Sequence, residues 1–321
     1  MDKRIFFRSL STLGLLLLVC SVVGCQTPSQ QISATHTTPT PSGSRQVGAT
    51  ATPTVAQTSS ATSVQAMPPR PDHVVVVMEE NRAFSEIIGS SAAPYLNSLA
   101  GQGASFTNSH AITHPSEPNY LALFSGSTQG LGSDACPLSY TGPNLASELI
   151  AAKYSFGGYS ENLPNVGFTG CVAPNDFNAL YARKHNPWVS FTNVPASVNM
   201  PWTSFPAGYD SLPTVSFVVP NQLNDMHSGS VSQADSWLKN NLDGYVQWAK
   251  THNSLLIVTW DEDDGSTTNQ IPTFFVGPMV KAGQYSESIN HYSVLRTLET
   301  MYSLPYAGES ANVPAINDIW Q

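Results

Sequence analysis

Three apolar segments of this chain each lead directly into side chains that can bind a cation or a phosphate group. Short runs rich in β-branched residues are typical of the central strands of a parallel sheet. The carboxyl ends of such strands meet at one edge, where ligands bind, so these side chains are expected to lie together. Acidic residues after a single strand are usually solvated, and the prediction depends on the agreement of the three segments. The segments and the residues that follow them are 73–78 with Glu79, Glu80 and Asn81; 214–219 with Asp225 and His227; and 255–260 with Asp261 and Glu262.

A serine in a fourth segment could supply a nucleophile. Ser116 comes just before a predicted helix that has Pro118 in its first turn, where the missing N–H of proline costs little. One interpretation is structural, since serine is a favoured helix N-cap, and the local sequence alone favours it. The other is chemical: the positive end of the helix dipole stabilises an alkoxide and a bound phosphate, and a neighbouring cation would lower the pKa of the hydroxyl.

Strands and helices alternate along residues 71–321, which predicts an α/β fold with three layers and a mostly parallel central sheet. Residues 160–210 are rich in Asn, Pro and aromatic residues and are interpreted as a long irregular insertion. Its Trp188, Trp202 and Tyr209 either form local core or line a substrate entrance, and local core is favoured. Helices are predicted over 94–100, 117–124, 144–153, 231–252 and 292–302, and strands over 73–78, 154–159, 214–219, 254–260 and 271–276.

The N-terminal residues have the pattern of an export signal. Residues 1–24 combine a basic start with an apolar run that is too short to favour a permanent transmembrane helix. The sequence Val22-Val23-Gly24-Cys25 resembles a bacterial lipobox, which implies cleavage before Cys25 and a lipid on its sulfur. An ordinary signal peptide is the alternative. Residues 25–70, rich in Thr, Ser and Pro, are predicted to be a disordered tether. We therefore expect an exported protein that is anchored to the cell membrane.

The balance of charges argues against one class of partner. With 13 basic and 22 acidic residues the chain has a formal net charge of −9, so nucleic-acid binding through phosphate contacts is not expected. Local groups of acidic residues favour a bound cation instead.

The cysteines divide into two groups. Cys20 lies in the predicted signal and Cys25 is the predicted lipidation site, which leaves Cys136 and Cys171 in the folded domain. A pair of cysteines in an exported domain favours a disulfide. Two free buried thiols are the alternative.

Four motifs, taken together and in this order, resemble the bacterial phosphoesterase family that includes acid phosphatases and phosphatidylcholine-type phospholipases C, within the alkaline phosphatase superfamily. The resemblance covers approximately residues 73–303, most of the folded domain. It implies an alkaline-phosphatase-like fold. The segments that carry it are 78–81, 114–120 with 125–126, 224–227 and 258–262.

The resemblance also implies a set of site residues. Glu80, Asn81, Asp261 and Glu262 would be ligands of a divalent metal, with Ser116 as both ligand and nucleophile. Asn119 would donate its amide to a phosphoryl oxygen. His227 and His291, together with Asp225 and His114, would face the phosphate from the other side. Relatives with two metals have an Asp-His pair where this chain has Asp261-Glu262, so one metal is expected.

The oxygen-rich ligand set favours Ca²⁺, Mg²⁺ or Mn²⁺, and Zn²⁺ is an alternative that usually gains His or Cys ligands. The expected activity is acid-phosphatase-like hydrolysis of phosphate monoesters through a phosphoserine, by a monomer. The alternatives are a phospholipase C acting on membrane phospholipids and a non-catalytic metal-binding surface domain. The neighbouring acids Glu79, Asp263 and Asp264 are interpreted as structural, and no role is predicted for His73, His110, His185 and His252.

Overall fold

The computed structural model describes residues 67–175 and 177–321, which form an α/β fold around one eight-stranded sheet. The predictions for the signal peptide at residues 1–24, for the lipid on Cys25 and for the tether up to residue 66 lie outside the described residues. Within the described ranges, no helix has both the length and the apolar character that are needed to cross a membrane.

The helices and strands follow the predicted alternation closely, and each long predicted element is present. The strands are β1 (His73–Glu79), β2 (Ala104–Phe106), β3 (Ser109–His110), β4 (Phe156–Ser160), β5 (Val172–Ala173), β6 (Tyr181–Ala182), β7 (Asn199–Pro201), β8 (Val215–Val219), β9 (Ser254–Trp260), β10 (Thr273–Val276), β11 (Gly283–Tyr285) and β12 (Ile289–Asn290). The α-helices are α1 (Phe84–Ile87), α2 (Pro94–Gln102), α3 (Ser116–Ser125), α4 (Leu145–Ala151), α5 (Val231–Ala249) and α6 (His291–Met301). Short 3₁₀ helices span Arg183–His185, Pro187–Ser190, Ala196–Val198, Trp202–Ser204, Tyr209–Ser211 and Gly308–Asn312.

The central sheet is mostly parallel, as predicted. Its strand order is β11-β2-β10-β9-β1-β8-β4-β7. Strand β1 pairs in parallel with β8 on one side and with β9 on the other, whereas β10 is antiparallel to both β9 and β2. Because β1, β8 and β9 are adjacent and parallel, the polar segments that follow them all begin at the same edge of the sheet.

Both faces of the sheet are covered by helices, which makes three layers. Side chains of β1 alternate between the two faces: Val74 and Val76 pack in the cluster that includes α3, α4 and α6, and Val75 and Val77 pack in the cluster that includes α2 and α5. All four valines are essentially inaccessible to solvent. Burial of each such side chain contributes about 1.5–3 kcal/mol, so the strand that leads directly to Glu80 is firmly held.

The predicted insertion is more ordered than its composition indicates. Residues 160–210 contain three short strands, and β7 extends the central sheet beside β4. Trp188 is buried against Gly158, where an added Cβ would lie 2.2 Å from the indole ring. Trp202 and Tyr209 pack against the cluster on the α5 face. These aromatic residues therefore form local core, as predicted.

Cys136 and Cys171 form a disulfide with a Cα–Cα distance of 5.8 Å. The predicted pairing is confirmed, and the alternative of two free thiols is excluded. The bond joins the loop after α3 to the start of the insertion, where the Arg183 N–H donates to the Cys171 carbonyl at 2.8 Å. Two segments that are far apart in sequence are thus fixed beside the N-terminus of α3.

Candidate active site

Side chains from two strand ends and from the start of α3 meet at the carboxyl edge of the sheet. Glu80 follows β1, Glu262 follows β9, and Ser116 is the first residue of α3. The Ser116 Oγ lies 3.0 Å from Glu262 Oε1 and 3.2 Å from Glu80 Oε2. The serine side chain is enclosed, with the residue only 2% exposed. The structure thus brings the predicted nucleophile within hydrogen-bond distance of two predicted metal ligands.

The structure excludes the interpretation of Ser116 as a helix cap. The N-cap position of α3 belongs to Pro115, which makes no side-chain capping bond. The free N–H of Glu117 is instead satisfied from outside the helix, by Asp134 Oδ1 at 3.0 Å. Because Asp134 caps the helix, the Ser116 hydroxyl is free to bond to the carboxylates of Glu80 and Glu262.

Asn81 and Asp261 lie beside this pair and carry oxygen atoms without partners. The Asn81 N–H donates to Asp261 Oδ1 at 3.1 Å, and its amide nitrogen lies 3.4 Å from Glu262 Oε1. The Asn81 backbone has a φ of 49°, in the left-handed region, which asparagine tolerates better than most residues. Among the described residues, Asn81 Oδ1 and Asp261 Oδ2 are buried and have no hydrogen-bond partner. Burial, with repulsion from Glu80 and Glu262, raises the pKa of Asp261 well above its usual range.

These residues fit a cation that is coordinated by mixed oxygen ligands. In the part of the chain that the structure describes, no three Asp, Glu, His or Cys side chains by themselves form a metal site. The predicted set contains three carboxylates and depends on two further oxygen atoms, those of the Asn81 amide and the Ser116 hydroxyl. The unpartnered oxygens of Asn81 and Asp261 are hard ligands beside two further carboxylates, which is the donor chemistry that Mg²⁺, Mn²⁺ and Ca²⁺ prefer.

Tyr120 and His185 hold the other oxygen of Glu80. The Tyr120 hydroxyl donates to Glu80 Oε1 at 2.6 Å, and His185 Nε2 lies 2.9 Å from the same atom. The His185 ring stacks on Tyr120 at 5.0 Å, and its Nδ1 lies 3.4 Å from Asp225 Oδ2. With Oε1 held in this way, Oε2 is turned toward Ser116.

The electrostatics favour the charged forms of both Glu80 and His185, although both side chains are buried. Burial alone would raise the pKa of Glu80, but His185 outweighs burial and lowers the pKa to about 2. Burial alone would lower the pKa of His185, but Glu80 and Asp225 raise it to about 9. No role was predicted for His185 from the sequence. The only available signal was the run Arg183-Lys184-His185, an unusual cluster of basic residues in an acidic chain.

His114 and His227, both predicted to face the phosphate, lie at two separate cavities. The His114 Nδ1 contacts the Glu262 carboxylate, and its ring lines a cavity of about 320 Å³ with Asn81 and Glu262. Burial alone would lower the pKa of His114, but the Ser266 carbonyl and Glu262 raise it. His227 is exposed and lines a second cavity of about 220 Å³.

Asn119 has surroundings that differ from the predicted ones. Its Oδ1 accepts the N–H groups of Ile112 and Thr113 at 3.0 and 3.1 Å. Its Nδ2 donates to the carbonyls of Thr113 and Pro115 at 2.8 and 3.2 Å. Both amide hydrogens are therefore engaged, and neither is free for a phosphoryl oxygen. Asn119 shapes the loop that delivers Ser116.

His291 and Asp225 also support the site from buried positions. The His291 Nε2 donates to the Asp261 carbonyl at 2.7 Å, and burial lowers the pKa of this histidine to about 4. Helix α6 is capped by Asn290, so His291 is not its cap. Asp225 is fully buried and accepts the His227 N–H at 2.8 Å. In the structure His291 steadies the end of β9, and Asp225 steadies both His185 and His227; their contacts with phosphate stay a prediction.

Two acidic neighbours of the predicted ligands have the structural surroundings that were expected. Asp263 Oδ1 accepts the N–H groups of Gly265 and Ser266 at 2.9 and 2.8 Å, which is the bonding of a turn residue. Glu79 is fully buried, and burial together with Asp225 raises its pKa well above the usual range.

Comparisons of this chain with known proteins agree on one family. The phosphoesterase family matches residues 90–305. Over 251 residues the chain is 55% identical to a phosphatidylinositol-3-phosphatase of Mycobacterium tuberculosis, which covers 77% of this chain and 82% of the relative. It is 32% identical to a phosphate-repressible acid phosphatase of Penicillium chrysogenum, over 74% of this chain and 60% of the relative.

A solved structure with a similar fold agrees with this result. A protein in the alkaline phosphatase superfamily from Vibrio parahaemolyticus superposes with a TM-score of 0.52 at 13% identity, covering 78% of this chain and 73% of that one. At this identity the likeness concerns the fold alone. With the family match and the named phosphatases, these findings show that the chain belongs to the phosphoesterase family, has an alkaline-phosphatase-like fold and is a phosphoric ester hydrolase.

Proposed function

We propose that this protein is a metal-dependent phosphomonoesterase of the acid phosphatase type, in which Ser116 is the nucleophile. The observation that carries the proposal is the position of the Ser116 hydroxyl, enclosed between the carboxylates of Glu80 and Glu262. A serine that served only to start a helix would bond to main-chain N–H groups. A structural cation site would not need an enclosed hydroxyl at the positive end of a helix.

The arrangement supports a two-step reaction. Glu262 Oε1 accepts the hydroxyl proton while the Ser116 oxygen attacks phosphorus in line with the leaving group, which forms a phosphoserine. His227, whose ring lines the neighbouring cavity, protonates the departing oxygen; burial lowers its pKa, so its protonated form is favoured at acidic pH. Water then attacks the phosphoserine and releases phosphate. A divalent cation held by Glu80, Asn81, Asp261 and Glu262 would supply positive charge for the phosphoryl oxygens and favour the ionised hydroxyl.

The comparisons support monoester hydrolysis over the phospholipase C alternative. The relative from Mycobacterium tuberculosis is named as a phosphatidylinositol-3-phosphatase, and the one from Penicillium chrysogenum as an acid phosphatase. We include phosphatidylinositol 3-phosphate among the proposed substrates, because the first of these relatives is so similar along most of its length.

A panel of three substrates tests this proposal. We expect the purified protein to release phosphate from 4-nitrophenyl phosphate and from phosphatidylinositol 3-phosphate in vesicles. We expect no diacylglycerol from phosphatidylcholine vesicles. Phosphate is measured by a colorimetric assay and diacylglycerol by mass spectrometry. Diacylglycerol release without phosphate release would favour the phospholipase, and inactivity on all three substrates with each divalent metal added would favour the non-catalytic alternative.

We also propose that the protein is exported and anchored through a lipid on Cys25. The lipobox-like sequence before this residue motivates the proposal, and a lipid chain anchors a protein without spanning the bilayer. We expect the wild-type protein to enter the detergent phase of a Triton X-114 extract and the Cys25→Ser variant to stay in the aqueous phase. Equal partitioning of the two proteins would contradict the anchor.

A further inference from the structure

A lysine that the sequence analysis left unassigned lies in a cluster beside the site. Lys184 belongs to the short helix Arg183–His185 that follows β6. Its Nζ lies 2.7 Å from Asp134 Oδ2 and 3.5 Å from His227 Nε2. The side chain is 18% exposed, so its charge is shielded from most of the solvent.

Asp134, which pairs with Lys184, and His185, which follows it in the chain, both contact residues of the candidate site. Asp134, through its other oxygen, accepts the N–H of Glu117, the residue after Ser116. The next residue in the chain, His185, contacts Glu80. Lys184 is therefore connected to Ser116 on one side through Asp134 and Glu117, and to Glu80, a predicted metal ligand, on the other through His185.

The disulfide restrains the segments that carry Lys184 and Asp134. Asp134 lies two residues before Cys136, and Cys171 accepts a main-chain hydrogen bond from Arg183, the residue before Lys184. The Cys136–Cys171 bond thus joins the segments that carry the two members of the ion pair. Lys184, His227 and the disulfide line the same cavity of about 220 Å³.

Lys184 supplies positive charge beside a group of acidic side chains. The predicted metal ligands include three carboxylates, which repel an approaching phosphate. Burial alone would lower the pKa of Lys184, but Glu80 and Asp134 outweigh it and raise the pKa. Lys184 therefore keeps its positive charge within the electrostatic reach of Glu80.

We infer that Lys184 binds the phosphoryl group of the substrate and favours phosphomonoester dianions over diesters, an inference that rests on the proposed function. A monoester carries up to two negative charges, since its second pKa is about 6, whereas a diester carries one. When phosphate enters, Lys184 exchanges Asp134 Oδ2 for a phosphoryl oxygen. Asp134 keeps its place because its Oδ1 is still bonded to the Glu117 N–H.

Two variants of Lys184 and one matched control test the inference. Lys184→Met removes the charge and keeps most of the side-chain volume, whereas Lys184→Arg keeps the charge. The control is Lys250→Met, because Lys250 is exposed at the end of α5 and its ammonium group donates to Gln247 on the same helix. Each protein is assayed with 4-nitrophenyl phosphate and with bis(4-nitrophenyl) phosphate. The dissociation constant of inorganic phosphate is measured by calorimetry, which does not depend on turnover.

For Lys184→Met we expect kcat/KM on the monoester to fall about 10- to 100-fold and phosphate to bind weaker by a similar factor, the range for a lost charged hydrogen bond. The effect on any diester activity should be several-fold smaller. We expect Lys184→Arg to retain most of the phosphate affinity and Lys250→Met all of it. If Lys184→Met binds phosphate as the wild type does, the inference is wrong.

The double variant Asp134→Asn/Lys184→Met removes the carboxylate that the single variant leaves unpaired. If Lys184 contacts the ligand directly, the double variant should bind phosphate as weakly as Lys184→Met does. Full recovery of phosphate affinity in the double variant would show that the unpaired Asp134 had caused the loss, and would overturn the inference. A wild-type protein that binds phosphate but hydrolyses no monoester would contradict the proposed function and leave the Lys184 contact standing.

Discussion

Replacing Ser116 by alanine is expected to lower kcat/KM for an aryl phosphate monoester by about four orders of magnitude or more, about 5 kcal/mol of transition-state stabilisation. The reason is geometric. The Ser116 Oγ is the hydroxyl that lies within hydrogen-bond distance of both Glu80 and Glu262. Without it, the acidic residues can still bind a cation but have no oxygen in place to attack phosphorus. Steady-state assays with 4-nitrophenyl phosphate measure the effect.

The matched control is Ser125→Ala in the same helix. Ser125 is also buried, but its hydroxyl donates to the Leu121 carbonyl and has no contact with the acidic residues. Each substitution removes one buried hydroxyl, at a cost of about 1–3 kcal/mol in unfolding free energy. We therefore expect both variants to fold and only Ser116→Ala to lose activity. Turnover by Ser116→Ala at the rate of Ser125→Ala would refute the assignment of the nucleophile.

A covalent intermediate gives a second measurement of the same prediction. Wild-type protein that is quenched in acid during turnover should carry phosphate on the peptide containing Ser116, detected by mass spectrometry. The Ser116→Ala variant should carry none. Phosphate on any other residue, or its persistence in the variant, would show that a different group attacks the substrate.

Most of the sheet could be predicted from the sequence because its central strands are locally encoded. The predicted strand at 73–78 corresponds to His73–Glu79, and the strand at 254–260 is found at the same residues. Long β-branched apolar runs have few alternatives to a buried strand. The short strands β2, β7 and β11 were not predicted. Each has only three residues, and such segments become strands because a neighbouring strand is there to pair with.

The candidate site was predictable in the parts that follow strands. Glu80, Asp261 and Glu262 were found because parallel topology fixes where strand ends meet. His185 was missed because its position depends on contacts with Glu80 and Asp225, each far away in sequence. Asp134 was missed for the same reason, since it caps α3 across a loop. Side chains that support a site from the insertion have no periodic pattern and become visible only in the fold.

The surroundings of Asn119 and His291 show a further limit of sequence reasoning. The sequence identifies residues that belong near the site, but it does not distinguish a contact with substrate from a contact with main chain. Asn119 bonds to four main-chain groups of the loop before Ser116, and His291 bonds to the Asp261 carbonyl. Both residues hold their surroundings in place through main-chain bonds, and for Asn119 these bonds use both amide hydrogens.

Removal of divalent metal is expected to abolish phosphatase activity and to lower the melting temperature. Glu80, Asp261 and Glu262 crowd together, and the Asn81 Oδ1 and Asp261 Oδ2 atoms have no partner among the described residues. A bound cation would satisfy these oxygens and relieve the repulsion. At a metal concentration of 100 times Kd, binding stabilises the folded state by about 2.7 kcal/mol. For a domain of this size, this corresponds to about 5–10 °C in Tm.

Calorimetry and activity assays on chelated protein, followed by separate addition of Mg²⁺, Mn²⁺, Ca²⁺ and Zn²⁺, measure both effects and identify the metal. The Glu80→Gln variant should gain neither stability nor activity on addition, because it loses a charged ligand that Tyr120 and His185 hold in position. Glu148→Gln is the control, since Glu148 is a partly buried acid on α4 outside the site. Full activity in protein shown by elemental analysis to be metal-free would contradict the proposed ligand set. A metal-dependent rise in Tm without activity would instead mean that the acidic cluster binds its cation for stability alone.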